Sequence, residues 1–267
     1  MIQSVLEKGI GLMNEDALII NDKLKVYGVI DGVTSLAGVV IDGKSPGFLA
    51  SQVVKQSFES TTLNNLDKMT IEANANIQRL MDEMHIEINK KADRFQCCHA
   101  VVQLKDDKIF YTSSADCVIY TIGDTVQQIV PTFKKDKESK SVSKWLKKYP
   151  NAYELKALPE EMIQASNTAK EAANEMGGYS VMNGDVLFNQ AFNAGEINKA
   201  NITHILITTD GFYDIENVGL ETFVRQSLNG LDVFLEDMIT KEIVDKTKTL
   251  YPRVKVHDDK AAVLIKL

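Results

Sequence analysis

The 267-residue chain has few cysteines, few prolines and no long apolar run. Its three cysteines are an odd number, and Cys97 and Cys98 are adjacent. That is no disulfide framework, and it points to a reducing cytoplasm. No stretch approaches the roughly 20 apolar residues that span a bilayer, so no membrane association is expected. The opening MIQSVLEKGIGLMNED lacks the basic region and apolar run of a secretory leader. Positive charge is also in the minority: 30 Lys and Arg face 37 Asp and Glu, a formal net charge of -7. Nucleic-acid binding needs clustered Lys and Arg, so that class is disfavoured. Chemistry on phosphate esters is not, because bound cations reverse a local field. The His/Cys spacings of structural zinc are missing as well.

What is present is a chain with 44% hydrophobic residues, enough for a large core. ALIIN (17–21) and LKVYGVI (24–30) are β-rich runs around Asp22-Lys23, which predicts a hairpin. Apolar spacing predicts helices over 47–58 and 66–91, the second carrying Ile77, Leu80, Met81, Met84 and Ile88 on one face. Strands are expected at 97–104 and 108–115 around Asp106-Asp107, and at 116–124 and 125–130 around Gly123-Asp124. From Lys134 to Lys148 seven lysines (134, 135, 137, 140, 144, 147, 148) face only Asp136 and Glu138. The stretch 131–180 reads as a helical excursion from the sheet. Its lysines read as a solvated helix face, with a basic flap that attracts acidic phosphopeptides as the alternative. THILITTDG (203–211) is a buried strand, 219–228 and 231–249 are helical, and HDDKAAVLIKL (257–267) closes the chain as a strand.

Five aspartates fall at strand ends or tight turns: Asp16, Asp31, Asp116, Asp210 and Asp258. Two of them sit in Asp-Gly pairs after apolar strands, VYGVIDG and ILITTDG, where glycine allows close backbone approach. Burying one carboxylate costs free energy unless it is paired. Burying several together requires cations between them. Oxygen-only ligands suit hard ions such as Mg²⁺ or Mn²⁺. Composition and spacing alone leave the other reading open, in which each Asp terminates its own strand. His99 reads as part of a core strand, and the three cysteines as small buried side chains. His257, next to Asp258, reads as an exposed group or one that supports a ligand without touching the metals, with proton donation as the alternative.

The ordered blocks GLMNEDA, VYGVIDGVTS, ADCVIY, ITTDGFYD and DDKAAVLIKL resemble the metal-dependent, type 2C serine/threonine protein phosphatases, from Gly11 to Leu267. The resemblance implies an α+β fold: a four-layer αββα sandwich with two central antiparallel sheets, as a single domain over 1–267 with a flap-like excursion at 131–180. It implies two Mn²⁺ or Mg²⁺ ions in the cleft between sheet edges. Asp31 would bridge both, with the Gly32 carbonyl as a further ligand. Asp210 and Asp258 would hold one metal, and Glu15 and Asp16 would act directly or through metal-bound waters. Asp116 and Asp214 would hold a weaker third. Catalysis would run through Asp31, Asp210 and Asp258 by way of the metals. A metal-bridging hydroxide would attack phosphorus in line, with no covalent phosphoenzyme. In keeping with that, there is no Cys-x5-Arg signature. The implied substrate is a phosphoprotein carrying phosphoserine or phosphothreonine.

The chain departs from the family pattern in several places. Gly11 stands where an arginine clasps the substrate phosphate, and nearby Lys8 cannot form the same bidentate fork. Asp31-Gly32-Val33-Thr34-Ser35 replaces Asp-Gly-His-Gly-Gly, so the histidine is missing, as it often is in bacterial members. Ala115-Asp116-Cys117-Val118 stands for Gly-Asp-Ser-Arg, and Asp259-Lys260-Ala261 for Asn-x-Thr/Ser. These are the marks of a divergent, bacterial-type member. Two other readings remain: a binding module that keeps the fold without turnover, and an N-terminal-nucleophile hydrolase. The second needs Ser, Thr or Cys at the mature terminus, whereas the chain begins Met1-Ile2.

Overall fold

Alternating and fully apolar runs pair into two five-stranded antiparallel sheets in the computed structural model, which describes residues 1–33, 40–130, 135–149 and 160–267. The first sheet runs in the order β2 (Ala17–Asn21), β3 (Val26–Gly32), β4 (Cys97–Lys105), β5 (Lys108–Ser114), β8 (Asn193–Asn198). The second runs β1 (Ile2–Glu7), β10 (Lys260–Lys266), β9 (Ile202–Thr208), β6 (Val118–Gly123), β7 (Val126–Gln128). Their facing sides share one apolar core, in which Val29, Ala100 and Val102 of one sheet belong with Ile119, Ile205, Ile207 and Val263 of the other.

Helices cover the outer faces. α1 (Pro46–Ser60) and α2 (Leu66–Glu83) bury Val54, Phe58, Met69, Ile77 and Met81 against Ile19, Ile30 and Val101. α5 (Leu220–Gln226) and α6 (Leu231–Val244) set Phe223, Phe234 and Met238 against the second sheet. The result is the αββα sandwich the resemblance implied. Between β7 and β8 the chain forms α3 (Lys135–Lys148) and α4 (Glu160–Glu171), in the expected excursion. Val142 and Trp145 of α3 are buried with Val254, while Lys144, Lys147 and Lys148 face solvent. No helix among the described residues is long and apolar enough to cross a membrane.

Local chemistry sets the boundaries. Ser45 caps α1, accepting from Phe48 N–H at 3.2 Å, with Pro46 in the first turn. α2 stops at Glu83, short of the expected 91, because His85 turns left-handed (φ 54°). Ile86 N–H then bonds to Met81 C=O (3.0 Å) and His85 N–H to Asp82 C=O (3.1 Å), a glycine-free Schellman stop. Ile88 therefore lies beyond the helix, packed at the margin of the same core. The first hairpin turns over Asp22–Lys25, not Asp22-Lys23 alone, with Lys25 at φ 51°. β1 and β8 were not anticipated. Both are edge strands with mostly exposed or half-buried residues, and although β8 alternates in exposure, neither IQSVLE nor NAGEIN alternates apolar with polar residue types. Thr34 and Ser35 of the DGVTS block lie outside the described residues, as do 131–134 and 150–159 of the excursion.

Candidate functional site

Strand register brings the sequence-distant aspartates to one end of the sandwich. In the first sheet the last β2–β3 pair is Ala17–Ile30. One step beyond it Asp16 lies opposite Asp31, and beyond that Gly32 N–H donates to the Glu15 carbonyl at 3.2 Å. In the second sheet the last β6–β9 pair is Val118–Thr208. Asp116 lies two residues ahead of β6 and Asp210 two residues past the end of β9, and Asp258 sits just ahead of β10, the partner of β9. Ala115 makes the turn before Asp116 with a left-handed φ of 50°.

The fields of these carboxyls overlap. Burial pushes the Asp31 carboxyl well above the usual carboxylate range, and Asp16, Asp210, Asp116 and Asp258 push it further. Asp16 is raised in the same way, first by burial and then by Asp258, Asp259 and Asp210, against a lowering hydrogen bond from Thr209 Oγ1 at 2.7 Å. Glu15 is buried and accepts from Ser45 Oγ, the α1 cap. Gly32 is required by space: a Cβ there would stand 2.6 Å from the carbonyl oxygens of both Glu15 and Gly47. Asp214 is engaged locally, accepting from the N–H groups of Val218 (2.9 Å) and Gly219 (2.8 Å) at the entry to α5. It is not one of the carboxyls that act most strongly on Asp16 or Asp31.

A set of carboxylates that raise one another this strongly suits a hard divalent cation in chemistry: the donors are oxygens and the local charge is negative. Among the described residues, no group of three His, Cys, Asp or Glu side chains is drawn into a ready-made ligand cage. The side chains share a field rather than a common centre. Two lysines that the sequence reading did not single out belong to this end of the molecule. Lys255 Nζ lies 2.6 Å from Asp258 Oδ1. Burial lowers the ammonium of Lys170 on α4, and the nearby Glu15 partly restores it. Neither lysine stands in a motif or spacing that would single it out.

The flanking histidines do not join the cluster. His257 Nδ1 lies 2.8 Å from Glu242 Oε2. His99 is buried in β4 as expected, with Ser114 Oγ at 2.8 Å from Nδ1, and burial lowers its pKa to about 3. Cys97, Cys98 and Cys117 are buried free thiols, each pushed above its ordinary range chiefly by burial.

No protein-family model and no curated protein matches the chain. Solved structures do match over nearly its whole length. The Mycobacterium tuberculosis serine/threonine phosphatase PstP/Ppp aligns at a TM-score of 0.61 with 12% identity, covering 100% of this chain and 98% of that one. The catalytic domain of PstP in complex with two manganese ions aligns at 0.58 with 13% identity, over 99% and 96% of the two chains. Stp1 from Staphylococcus aureus aligns at 0.58 with 14% identity, over 100% and 94%. The chain therefore has the fold of these bacterial serine/threonine phosphatases.

Proposed function

We propose that the chain is a divergent, bacterial-type member of the metal-dependent protein phosphatases, removing phosphate from phosphoserine or phosphothreonine in cytoplasmic phosphoproteins. The observation that carries this reading is the placement of Asp16, Asp31, Asp116, Asp210 and Asp258 at one end of a phosphatase-like sandwich, where Asp31 feels the other four. On this reading residues 1–267 form one phosphatase domain with 131–180 as its flap.

Asp31 would hold both ions of a Mn²⁺ or Mg²⁺ pair, with the Gly32 carbonyl as a further ligand, and Asp210 and Asp258 would hold one of them. Glu15 and Asp16 would orient bound water or ligate directly. Asp116 and Asp214 would serve a weaker third ion, which requires Asp214 to exchange its backbone partners at Val218 and Gly219. When bound, such ions supply hydroxide at neutral pH and offset charge on the transferred phosphoryl group. The chain's own part is to fix the ligands. Thr209 orients Asp16 at 2.7 Å, and the Asp259 carboxylate fixes the Glu15 backbone N–H at 2.7 Å.

The test is release of phosphate from a phosphothreonine peptide in Mn²⁺, with EDTA and with Asp31→Asn as controls. Turnover abolished by both supports the proposal. Gly11, in place of a phosphate-clasping arginine, favours a second reading, a phosphatase-fold binding module without turnover. Mn²⁺ binding with no hydrolysis of any phosphopeptide would select it.

A further inference from the structure

Gly11 leaves the substrate phosphate without its usual fork, and the cations around the acidic end differ in whether they can replace it. Lys8 Nζ donates to the Gly11 carbonyl at 3.3 Å, on the exposed side of the loop. Arg253 is committed: its guanidinium reaches Asp245 Oδ2 at 2.6 Å and the carbonyls of Tyr251 (3.0 Å), Asp245 (2.9 Å), Glu242 (3.3 Å) and Val256 (3.1 Å). Lys260 is buried on Glu242 Oε2 at 2.9 Å.

Lys255 is placed differently. It precedes Asp258 by three residues, on the loop that leads into β10. Its side chain is 25% exposed, and its ammonium lies 2.6 Å from Asp258 Oδ1. It lines a cleft of about 110 Å³ together with Asp210, Asp258, Tyr213 and Val142 of α3. Lys255 thus stands in the same cleft as two of the carboxylates assigned to the metals, held there by one of them. An ammonium is a compact point charge with three rotatable donors, suited to a tetrahedral oxyanion even without a bidentate fork.

We propose that Lys255 grips the phosphoryl group of the substrate in this chain, doing from the Asp258 loop what an arginine at position 11 would do from the N-terminal loop. The proposal rests on the phosphatase reading and names a substrate-contacting residue for it. Asp258 then has two tasks, to hold cation on one side and to aim Lys255 on the other. The lysine lies 2.6 Å from a carboxylate rather than in a neutral wall, so its charge stays fixed at the cleft when no phosphate is bound.

The experiment uses Mn²⁺-loaded full-length protein, with Lys255→Met and Lys255→Arg. Calorimetry reads Mn²⁺ uptake and orthophosphate binding, and a small aryl phosphate reads KM and kcat separately. Loss of one charge-assisted contact predicts orthophosphate binding weakened by about tenfold or more in Lys255→Met, with KM raised by a similar factor. Mn²⁺ stoichiometry should be unchanged, and Lys255→Arg should restore most of the loss. Orthophosphate binding equal in wild type and Lys255→Met overturns the proposal and leaves the phosphatase reading standing. Tighter Mn²⁺ binding with unchanged phosphate binding also overturns it, making Lys255 a rival of the metal. Wild type that binds phosphate through Lys255 but hydrolyses nothing supports the lysine's role and overturns turnover. Wild type that takes up neither Mn²⁺ nor phosphate overturns both.

Discussion

The Asp259 carboxylate accepts the backbone N–H of Glu15 at 2.7 Å with one oxygen and that of Gly9 at 2.8 Å with the other, joining the start of β10 to the loop after β1. Both partners are donors and Asp259 is buried, which explains an aspartate at a position where the family pattern has asparagine. A carboxylate offers two accepting oxygens, an amide only one. Asp259→Asn therefore turns an N–H2 toward a buried N–H. The expected loss is about 1–3 kcal/mol of stability, read as a lower urea midpoint at unchanged slope. A midpoint equal to wild type would show that the clamp contributes nothing.

Glu242 is a second buried hub. Its carboxylate accepts from Tyr213 OH at 2.6 Å and lies 2.9 Å from Lys260 Nζ and 2.8 Å from His257 Nδ1. Lys260 and Glu242 are both almost fully buried. Glu242→Gln removes the countercharge of Lys260 and should cost about 3–5 kcal/mol, as breaking one side of a buried pair does. The double variant Glu242→Gln with Lys260→Met should lose clearly less than the sum of the two singles. Strict additivity in urea unfolding would dismiss the coupling.

His99 gives a pH signature. Burial lowers its pKa to about 3 from an ordinary 6.5. Between those values the unfolded chain binds the proton and the folded one does not, so this contribution is complete above about pH 6.5 and shrinks as pH falls. The slope is roughly 1.4 kcal/mol per pH unit within that window. Asp16 and Asp31 act with the opposite sign in the metal-free protein. Their raised carboxyls stabilise below the unfolded value of 3.8 and lose that stabilisation as pH rises through the folded value. A His99→Gln variant keeps both carboxyls, so the difference between the two stability curves isolates the histidine. Parallel curves from pH 6.5 downward would contradict its assignment as a buried neutral ring.

Much of the site could be read from sequence because it rests on hairpin register. Pairing ALIIN with VYGVI brings Asp16 close to Asp31, and the turn over Asp22–Lys25, two residues longer than expected, is what sets the two opposite each other. The Asp-Gly pair after ILITT likewise fixed the end of β9 to within a few residues. Convergence of the two sheets was not contained in any local pattern, and the family resemblance supplied that expectation. β1 and β8 escaped because half-exposed edge strands need little hydrophobic alternation. Lys255 and Asp259 escaped for a different reason. Their roles depend on partners fixed by folding: a cleft lined by Asp210, and N–H groups 244 and 250 residues away.

The most direct measurement is a calorimetric titration of Mn²⁺ into the metal-free wild type and Asp31→Asn at neutral pH. The carboxylates around Asp31 are expected to take up about two ions per chain, and Asp31→Asn to lose that binding while remaining folded, because it removes the residue whose field overlaps all the others. Identical isotherms for the two proteins, or no heat from the wild type, would contradict the assignment of this acidic cluster as a metal centre and return each aspartate to the end of its own strand.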